Sequence, residues 1–115
     1  MNPLVFREYD IRGVAERDFD HDFVVRLGRG WATMLVRAGK RRVTLGRDCR
    51  LSSPRLHDAL IEGVLAGGID VVDVGVVPTP LLYFSVVHWQ MDGGAMITGS
   101  HNAAEYNGFK VGVDY

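Results

Sequence analysis

The sequence has little that would fit a disulfide-bonded, nucleic-acid-binding or membrane protein. Its single cysteine, Cys49, excludes an internal disulfide and a cysteine-rich zinc site. Thirteen Lys and Arg against fourteen Asp and Glu give a net charge of −1, so the basic excess typical of nucleic-acid and anionic-membrane binding is absent. No apolar run approaches the roughly 20 residues of a membrane-spanning helix, and the first residues do not resemble a signal peptide. We therefore expect a cytoplasmic protein with no nucleic-acid or membrane partner.

The spacing of apolar residues predicts an α/β fold. Apolar spacings of three and four indicate helices, and short apolar or alternating runs indicate strands. The predicted helices cover residues 20–38, 53–66 and 79–91, and the predicted strands cover residues 41–48, 69–74, 94–98 and 109–115. This order of strands and helices predicts a mixed, mostly parallel four-stranded sheet flanked by helices.

The length and the last predicted strand point to part of a longer chain. The 115 residues make one domain or part of one, and the strand over 109–115 is still running at Tyr115. A complete α/β domain usually covers such a strand, so we expect residues 1–115 to be an incomplete fragment. We also expect the strand to form an exposed sheet edge, which would favour self-association of the fragment.

Polar segments follow three of the predicted strands, at residues 46–50, 78–80 and 98–102. In open α/β sheets, ligands bind beyond the carboxyl ends of the strands. The third segment places the hydroxyl of Ser100, a candidate nucleophile, beside His101, a candidate base. The same segment also fits a Ser/Asn turn that satisfies its own backbone, and the local sequence leaves both interpretations open.

The N-terminal segment 6–13 (FREYDIRG) is dense in charged and aromatic residues and has neither helical nor alternating spacing. Arg12 can present its planar guanidinium to a phosphate, or it can take part in an ordinary surface turn with an Asp–Arg pair. A dinucleotide-binding glycine motif is a poor fit for the chain, because Gly28 and Gly30 lie inside a predicted helix and do not follow a strand.

Five ordered motifs resemble the α-D-phosphohexomutases, most of all their bacterial phosphomannomutase/phosphoglucomutase branch. These motifs are residues 6–13 (FREYDIRG), 46–48 (GRD), 77–80 (VPTP), 98–102 (TGSHN) and 106–110 (YNGFK). The resemblance covers nearly the whole chain, but only the first of that family's four domains, the N-terminal domain that bears the nucleophile. It implies an isomerase of carbohydrate metabolism that interconverts mannose or glucose 1-phosphate and 6-phosphate by intramolecular phosphoryl transfer through a phosphoserine. We expect the chain alone to be inactive, because the other domains would complete the site.

The same resemblance implies roles for five residues. Ser100 corresponds to the serine that carries the phosphoryl group, and His101 and Lys110 correspond to catalytic residues for proton transfer and phosphoryl positioning. Tyr9 and Arg12 correspond to residues that line the phosphate and substrate site. The family's Mg²⁺ takes one oxygen from the phosphate on Ser100, and its other ligands are expected outside this chain. Glucose or mannose 1,6-bisphosphate is implied as activator and intermediate, with hexose phosphates and the remaining domains of the enzyme as partners.

The serine segment departs from the family at one point, because alanines at 103–104 follow Asn102 where a proline is usual. Without that proline the backbone of the loop is less restricted. We interpret Asp48 as a structural residue and Cys49 as a small buried thiol. A second hypothesis keeps the fold but not the activity: a non-catalytic module that binds a phosphorylated ligand or a protein, with Ser100 as a regulatory phosphosite.

Overall fold

The structure is a computed structural model that describes residues 11–99 and 103–113. In this part of the chain a five-stranded mixed sheet lies between helices on its two faces. The elements, in chain order, are β1 (Ile11–Val14), α1 (Ala15–Asp18), α2 (His21–Arg37), β2 (Arg42–Arg47), α3 (Ser53–Ala66), β3 (Asp70–Val76), α4 (Thr79–His88), β4 (Gly93–Ile97) and β5 (Tyr106–Val113). The predicted α/β class and the mixed sheet are confirmed.

The helix ends follow local signals in the sequence. Helix α2 begins after Asp20, whose carboxylate accepts a hydrogen bond from the backbone N–H of Phe23 at 2.7 Å. Helix α3 begins at Ser53 and has a proline in its first turn, but the Ser53 side chain bonds elsewhere and does not cap the helix. Helix α4 ends at His88, earlier than the predicted 91, because the chain turns through Gln90 with a φ of 54°.

The strand order is β1-β5-β4-β2-β3. Strands β4, β2 and β3 run parallel, and β5 runs antiparallel to both of its neighbours, β4 and β1. As a result, one edge of the sheet collects the carboxyl ends of β1, β4, β2 and β3 together with the amino end of β5. We call this the loop edge; it comprises residues 14–15, 47–53, 76–78, 97–99 and 103–107.

Two expectations about the sheet are wrong. It has five strands and not four, because residues 11–14 form a short strand that pairs with β5. This strand lacks the alternating pattern that would have identified it. Strand β5 is also not at an edge, because it lies between β1 and β4, and the edge strands are β1 and β3. An exposed edge at β5 therefore gives no reason to expect self-association.

One face of the sheet carries α2 and α3, whose backbones approach each other closely. An added Cβ at Gly63 would collide with the carbonyl oxygen of Val25, and one at Gly28 would lie 2.6 Å from the carbonyl oxygen of Leu60. Only glycine fits at such a contact, which explains a glycine inside a helix at position 28. The side chains enclosed on this face include Val24, Trp31, Leu35, Val43, Leu45, Leu56, Leu60, Ile97 and Phe109.

The other face carries α4, which packs on β2 and β4. An added Cβ at Gly94 would lie 2.8 Å from the Val86 side chain, so Gly94 and Met96, two residues on, face this helix. Several apolar side chains of α4, such as Leu81 and Phe84, are exposed. Across residues 11–99 and 103–113, no helix has both the length and the apolar character needed to cross a membrane.

Candidate active site

The predicted site residues divide into two groups. Arg12 and Lys110 belong to strands of the sheet and are described by the structure. Tyr9, Ser100 and His101 lie outside the described residues. The backbone on both sides of residues 100–102 is described, and it lies at the loop edge as expected for a segment that follows a parallel strand.

Arg12 and Lys110 lie on one face of the sheet, on neighbouring strands. Arg12 pairs with Gly108 of β5, and Lys110 pairs with Met96 of β4. Paired residues share a face, as do alternate residues of one strand, so both cations lie on the face that carries α4. They are diagonal neighbours, about 7–8 Å apart in such a ladder.

Glycine at position 108 makes room for the Arg12 side chain. An added Cβ there would lie 3.1 Å from the Arg12 Cγ and would collide with the carbonyl oxygen of Ile11. The stem of Arg12 therefore crosses β5 over a position without a side chain. Arg12 and Lys110 are both half-buried, so two cations share a partly desolvated surface that suits an anionic ligand.

The carboxylate of Asp48, just after β2, gathers the hydrogen-bond donors of the loop edge. Its Oδ1 accepts from the hydroxyl of Ser53 at 2.6 Å and from the backbone N–H of Arg50 at 3.1 Å. Its Oδ2 accepts from the backbone N–H of Gly99 at 3.0 Å and from the Arg50 Nε at 3.2 Å. Asp48 thus binds the residue that directly precedes the serine segment, and its prediction as a structural residue gains a specific meaning.

The charge state of Asp48 follows from these bonds. Burial raises the pKa of its carboxyl, but hydrogen bonds from the Ser53 hydroxyl, two backbone amides and the Thr98 hydroxyl outweigh burial and hold this pKa below its usual range. Asp48 is therefore ionised at neutral pH. All its oxygens face donors of the protein, which is the environment of a structural acceptor and not of a proton donor.

Arg50 reaches the far side of the serine segment. Its Nη1 donates to the carbonyl oxygen of Ala103 at 2.6 Å and to that of Tyr106 at 3.3 Å. Its guanidinium also lies against Gly99, where an added Cβ would be 2.8 Å from Nη1 and closer still to Cζ and Nε. Asp48 and Arg50 together hold the backbone before and after residues 100–102.

Asn107 joins the amino end of β5 to this network. Its buried Nδ2 donates to the hydroxyl oxygens of Ser52 and Ser53 at 2.8 and 3.0 Å, and its Oδ1 accepts from the N–H of Gly108 at 2.9 Å. Through Ser53 the amide is connected to the Asp48 carboxylate. Sequence reasoning did not single out Arg50, Ser53 or Asn107, although all three lie in or directly beside a motif that carries the family resemblance.

Two other expectations can be compared with the structure. Cys49 is exposed, so its prediction as a buried thiol is wrong. Its neighbours Asp48 and Arg50 turn toward the loop edge and leave the thiol on the solvent side. The segment 78–80 follows β3, which is separated from β4 by β2, so it lies apart from the serine segment along the loop edge.

Comparison with known proteins agrees with this architecture. A family model described as phosphoglucomutase/phosphomannomutase, alpha/beta/alpha domain I, matches residues 3–115. The chain is 44% identical over 109 residues to the phosphoglucomutase/phosphomannomutase of Thermococcus kodakarensis, covering 93% of this chain and 24% of that protein. It is 43% identical over 107 residues to the phosphomannomutase/phosphoglucomutase of Pseudomonas putida, covering 93% of this chain and 23% of that protein.

A solved structure has the same fold. The crystal structure of a phosphoglucomutase/phosphomannomutase family protein from Burkholderia thailandensis superposes with a TM-score of 0.87 at 42% identity, covering 93% of this chain and 25% of that one. The chain spans about a quarter of the length of the relatives it matches. With the domain model matched from end to end, the chain belongs to the phosphoglucomutase/phosphomannomutase family and corresponds to its alpha/beta/alpha domain I.

Proposed function

We propose that this chain is the N-terminal, nucleophile-bearing domain of a longer phosphohexomutase that interconverts the 1-phosphates and 6-phosphates of mannose or glucose. Family membership supports the reaction class, and the coverage of about a quarter of each relative supports the presence of further domains. The observation that carries the proposal is the loop edge, where Asp48 and Arg50 hold the backbone on both sides of residues 100–102. The longer protein is called the full-length enzyme below.

Ser100 is the proposed carrier of the phosphoryl group. In the first half-reaction the sugar hydroxyl oxygen attacks the phosphorus of phosphoserine and the bond from phosphorus to the Ser100 oxygen breaks. The hydroxyl proton passes to a base, for which His101 is the candidate, and the serine oxygen takes up a proton as it leaves. In the second half-reaction Ser100 attacks the other phosphate of the hexose 1,6-bisphosphate and becomes phosphorylated again.

The cations on the sheet would stabilise the transferring group. Phosphoryl transfer depends mainly on positioning and on neutralising negative charge. Lys110 and Arg12 are half-buried on adjacent strands of one face, which supports a role for Lys110 in positioning the phosphoryl group and for Arg12 in binding phosphate. Tyr9 is proposed to line the same site.

The bound ion, the location and the association state stay predictions. Among the residues that the structure describes, no group of three or more His, Cys, Asp or Glu side chains could hold a metal ion. The chain would therefore offer Mg²⁺ only the phosphate oxygen on Ser100, and none of the steps above depends on the ion. A cytoplasmic location and self-association of the isolated chain are likewise untested.

The test is the Ser100→Ala variant of the full-length enzyme, assayed with glucose 1-phosphate and mannose 1-phosphate in the presence of glucose 1,6-bisphosphate. We expect turnover to vanish while the far-UV circular dichroism spectrum stays that of the wild type, because one oxygen atom is lost. His101→Ala should lower kcat by about 10²–10⁴-fold, as expected for a general acid or base. Near-wild-type kcat in Ser100→Ala would end the mutase proposal and favour the regulatory phosphosite hypothesis.

A further inference from the structure

One side chain, Arg50, contacts the chain on both sides of residues 100–102. Before the segment, its guanidinium lies against Gly99, at a place where any larger residue would collide with it. After the segment, its Nη1 donates to the carbonyl oxygens of Ala103 and Tyr106. Its Nε binds Asp48, which also accepts from the Gly99 amide. Arg50 therefore links the two ends of the serine segment to each other and to β2.

The environment of Arg50 favours a geometric role. Only 14% of its side chain is exposed, and its charge is balanced by the Asp48 carboxylate at 3.2 Å. Residues 103–104 are alanines, which restrict the backbone less than proline does, so the position of the Ala103 carbonyl depends on the group that binds it. A planar guanidinium can serve a carboxylate and two carbonyls at once, whereas an ammonium group on a flexible stem cannot.

We propose that Arg50 is a positioning residue for phosphoryl transfer at Ser100 and acts through the backbone of Gly99 and Ala103. The inference rests on the proposed function, because it assigns to Arg50 the task of holding the proposed nucleophile in line with the substrate. It does not require contact between Arg50 and the sugar phosphate.

Arg55 provides a matched control on the same helix-start region. Its Nη1 donates to the carbonyl oxygen of Phe19 at 2.6 Å, and its Nη2 donates to that of Ala15 at 3.2 Å. Arg55 thus binds two backbone carbonyls as Arg50 does, but none of its recorded bonds reaches Gly99 or Ala103. A loss of stability common to both variants can be separated from a loss of rate specific to Arg50.

The first test is the steady-state kinetics of the full-length enzyme with Arg50→Ala, Arg50→Lys and Arg55→Ala. Misplacement of a reacting group by about 1 Å can cost on the order of 10² in rate, so we expect kcat of Arg50→Ala to fall about 10²-fold. KM should change by less than about threefold, because contacts to the substrate are not removed. Arg50→Lys keeps the charge without the fork and should stay at least about 10-fold below wild type. Arg55→Ala should keep its kcat.

The second test is hydrogen exchange of the same variants, followed by mass spectrometry. Exchange of the backbone amides from Gly99 to Tyr106 should become faster in Arg50→Ala and stay unchanged in Arg55→Ala. If Arg50→Ala does not fold, Arg50→Lys is compared with Arg55→Ala in its place. A kinetic loss confined to Arg50 together with faster exchange in this segment supports the positioning role.

Two results would overturn the inference, and a third concerns the proposed function. Normal kcat in Arg50→Ala beside an active wild type overturns the positioning role alone, as does an equal loss of kcat in Arg55→Ala. A folded wild-type enzyme without mutase turnover overturns the proposed function, and with it any catalytic role of Arg50. The wild-type activity therefore separates the two failures.

Discussion

The contact between α2 and α3 and the loop edge bring distant segments of the chain together by different means. At the helix contact, Gly28 and Gly63 remove side chains so that one backbone lies directly on another in an apolar interior. At the loop edge, a carboxylate and a guanidinium reach across partly exposed space and bind backbone groups. The first region allows no added atom, and the second depends on the placement of hydrogen-bond donors and acceptors.

This difference indicates what each region contributes. Close packing of glycine backbones holds the fold together and offers no reactive group, so substitutions there should cost stability and leave the rate of the folded enzyme unchanged. The hydrogen bonds of the loop edge are individually modest in stability because water can compete for them. Their value lies in the position of the serine segment, so substitutions there should cost rate.

The largest effect that would sharpen this comparison is expected for Lys110→Ala. A cation beside a transferring phosphoryl group acts mainly in the transition state, so kcat should fall on the order of 10²–10³-fold. The unfolding midpoint should change little, since Lys110 is only half-buried. The other lysine of the sequence, Lys40, precedes β2 at the opposite end of the sheet and serves as the control. Equal kcat values for Lys110→Ala and Lys40→Ala would contradict the account.

An intermediate effect is expected for Gly28→Ala at the helix contact. The new methyl group would lie 2.6 Å from the Leu60 carbonyl oxygen, and overpacking of this kind costs about 1–3 kcal/mol of unfolding free energy. Urea unfolding of the chain, followed by circular dichroism, measures the loss. Gly30→Ala, two residues along the same helix, has nothing within 4 Å and should stabilise α2 by up to about 1 kcal/mol. Destabilisation by Gly30→Ala and not by Gly28→Ala would reverse the assignment.

The smallest effect concerns the acid sensitivity of two carboxylates at opposite ends of the sheet. Burial raises the pKa of Asp48, but its hydrogen bonds, led by the one from Ser53, lower that pKa below its usual value. The pKa of Asp92 is lowered mainly by the backbone N–H groups of Arg41 and Arg42. A carboxyl whose pKa is lower in the folded state stabilises the fold above its unfolded pKa of about 4, and this stabilisation is lost as the pH falls through the folded pKa.

We therefore expect wild type to lose stability below about pH 4, where each carboxylate is protonated, more steeply than Asp48→Asn or Asp92→Asn does. Urea unfolding of the chain at a series of pH values measures the slopes. In the full-length enzyme at neutral pH, only Asp48→Asn should also lower kcat, because only Asp48 binds the Gly99 amide. A loss of kcat in Asp92→Asn of similar size would show that the loop edge is not special.

The sequence predicts most of the fold because most of the elements carry their own signals. Apolar periodicity and the cap at Asp20 locate α2, and a proline after a hydroxyl residue locates the starts of α3 and α4. Strand β1 carries no such signal, since its four residues gain their strand geometry from pairing with β5 near the other end of the chain. The central position of β5 depends on the same long-range pairing.

The site divides in the same way. The polar residues after β4 and the cations of the motifs can be identified from their sequence neighbours alone. The bond between Arg50 and Ala103 joins residues 53 positions apart, and nothing local pairs them. Asp48 was recognised as structural, but its function as the acceptor for Gly99 follows only when β2 and β4 lie side by side.

The most direct test of the central claim is to follow the phosphoryl group itself. The full-length enzyme is loaded with phosphate-labelled glucose 1,6-bisphosphate, and the modified residue is mapped by peptide mass spectrometry before and after a chase with unlabelled glucose 1-phosphate. The account predicts label on Ser100 that moves to the sugar during the chase at a rate no slower than kcat. A phosphoryl group on another residue, or one on Ser100 that stays through the chase while turnover proceeds, would contradict it.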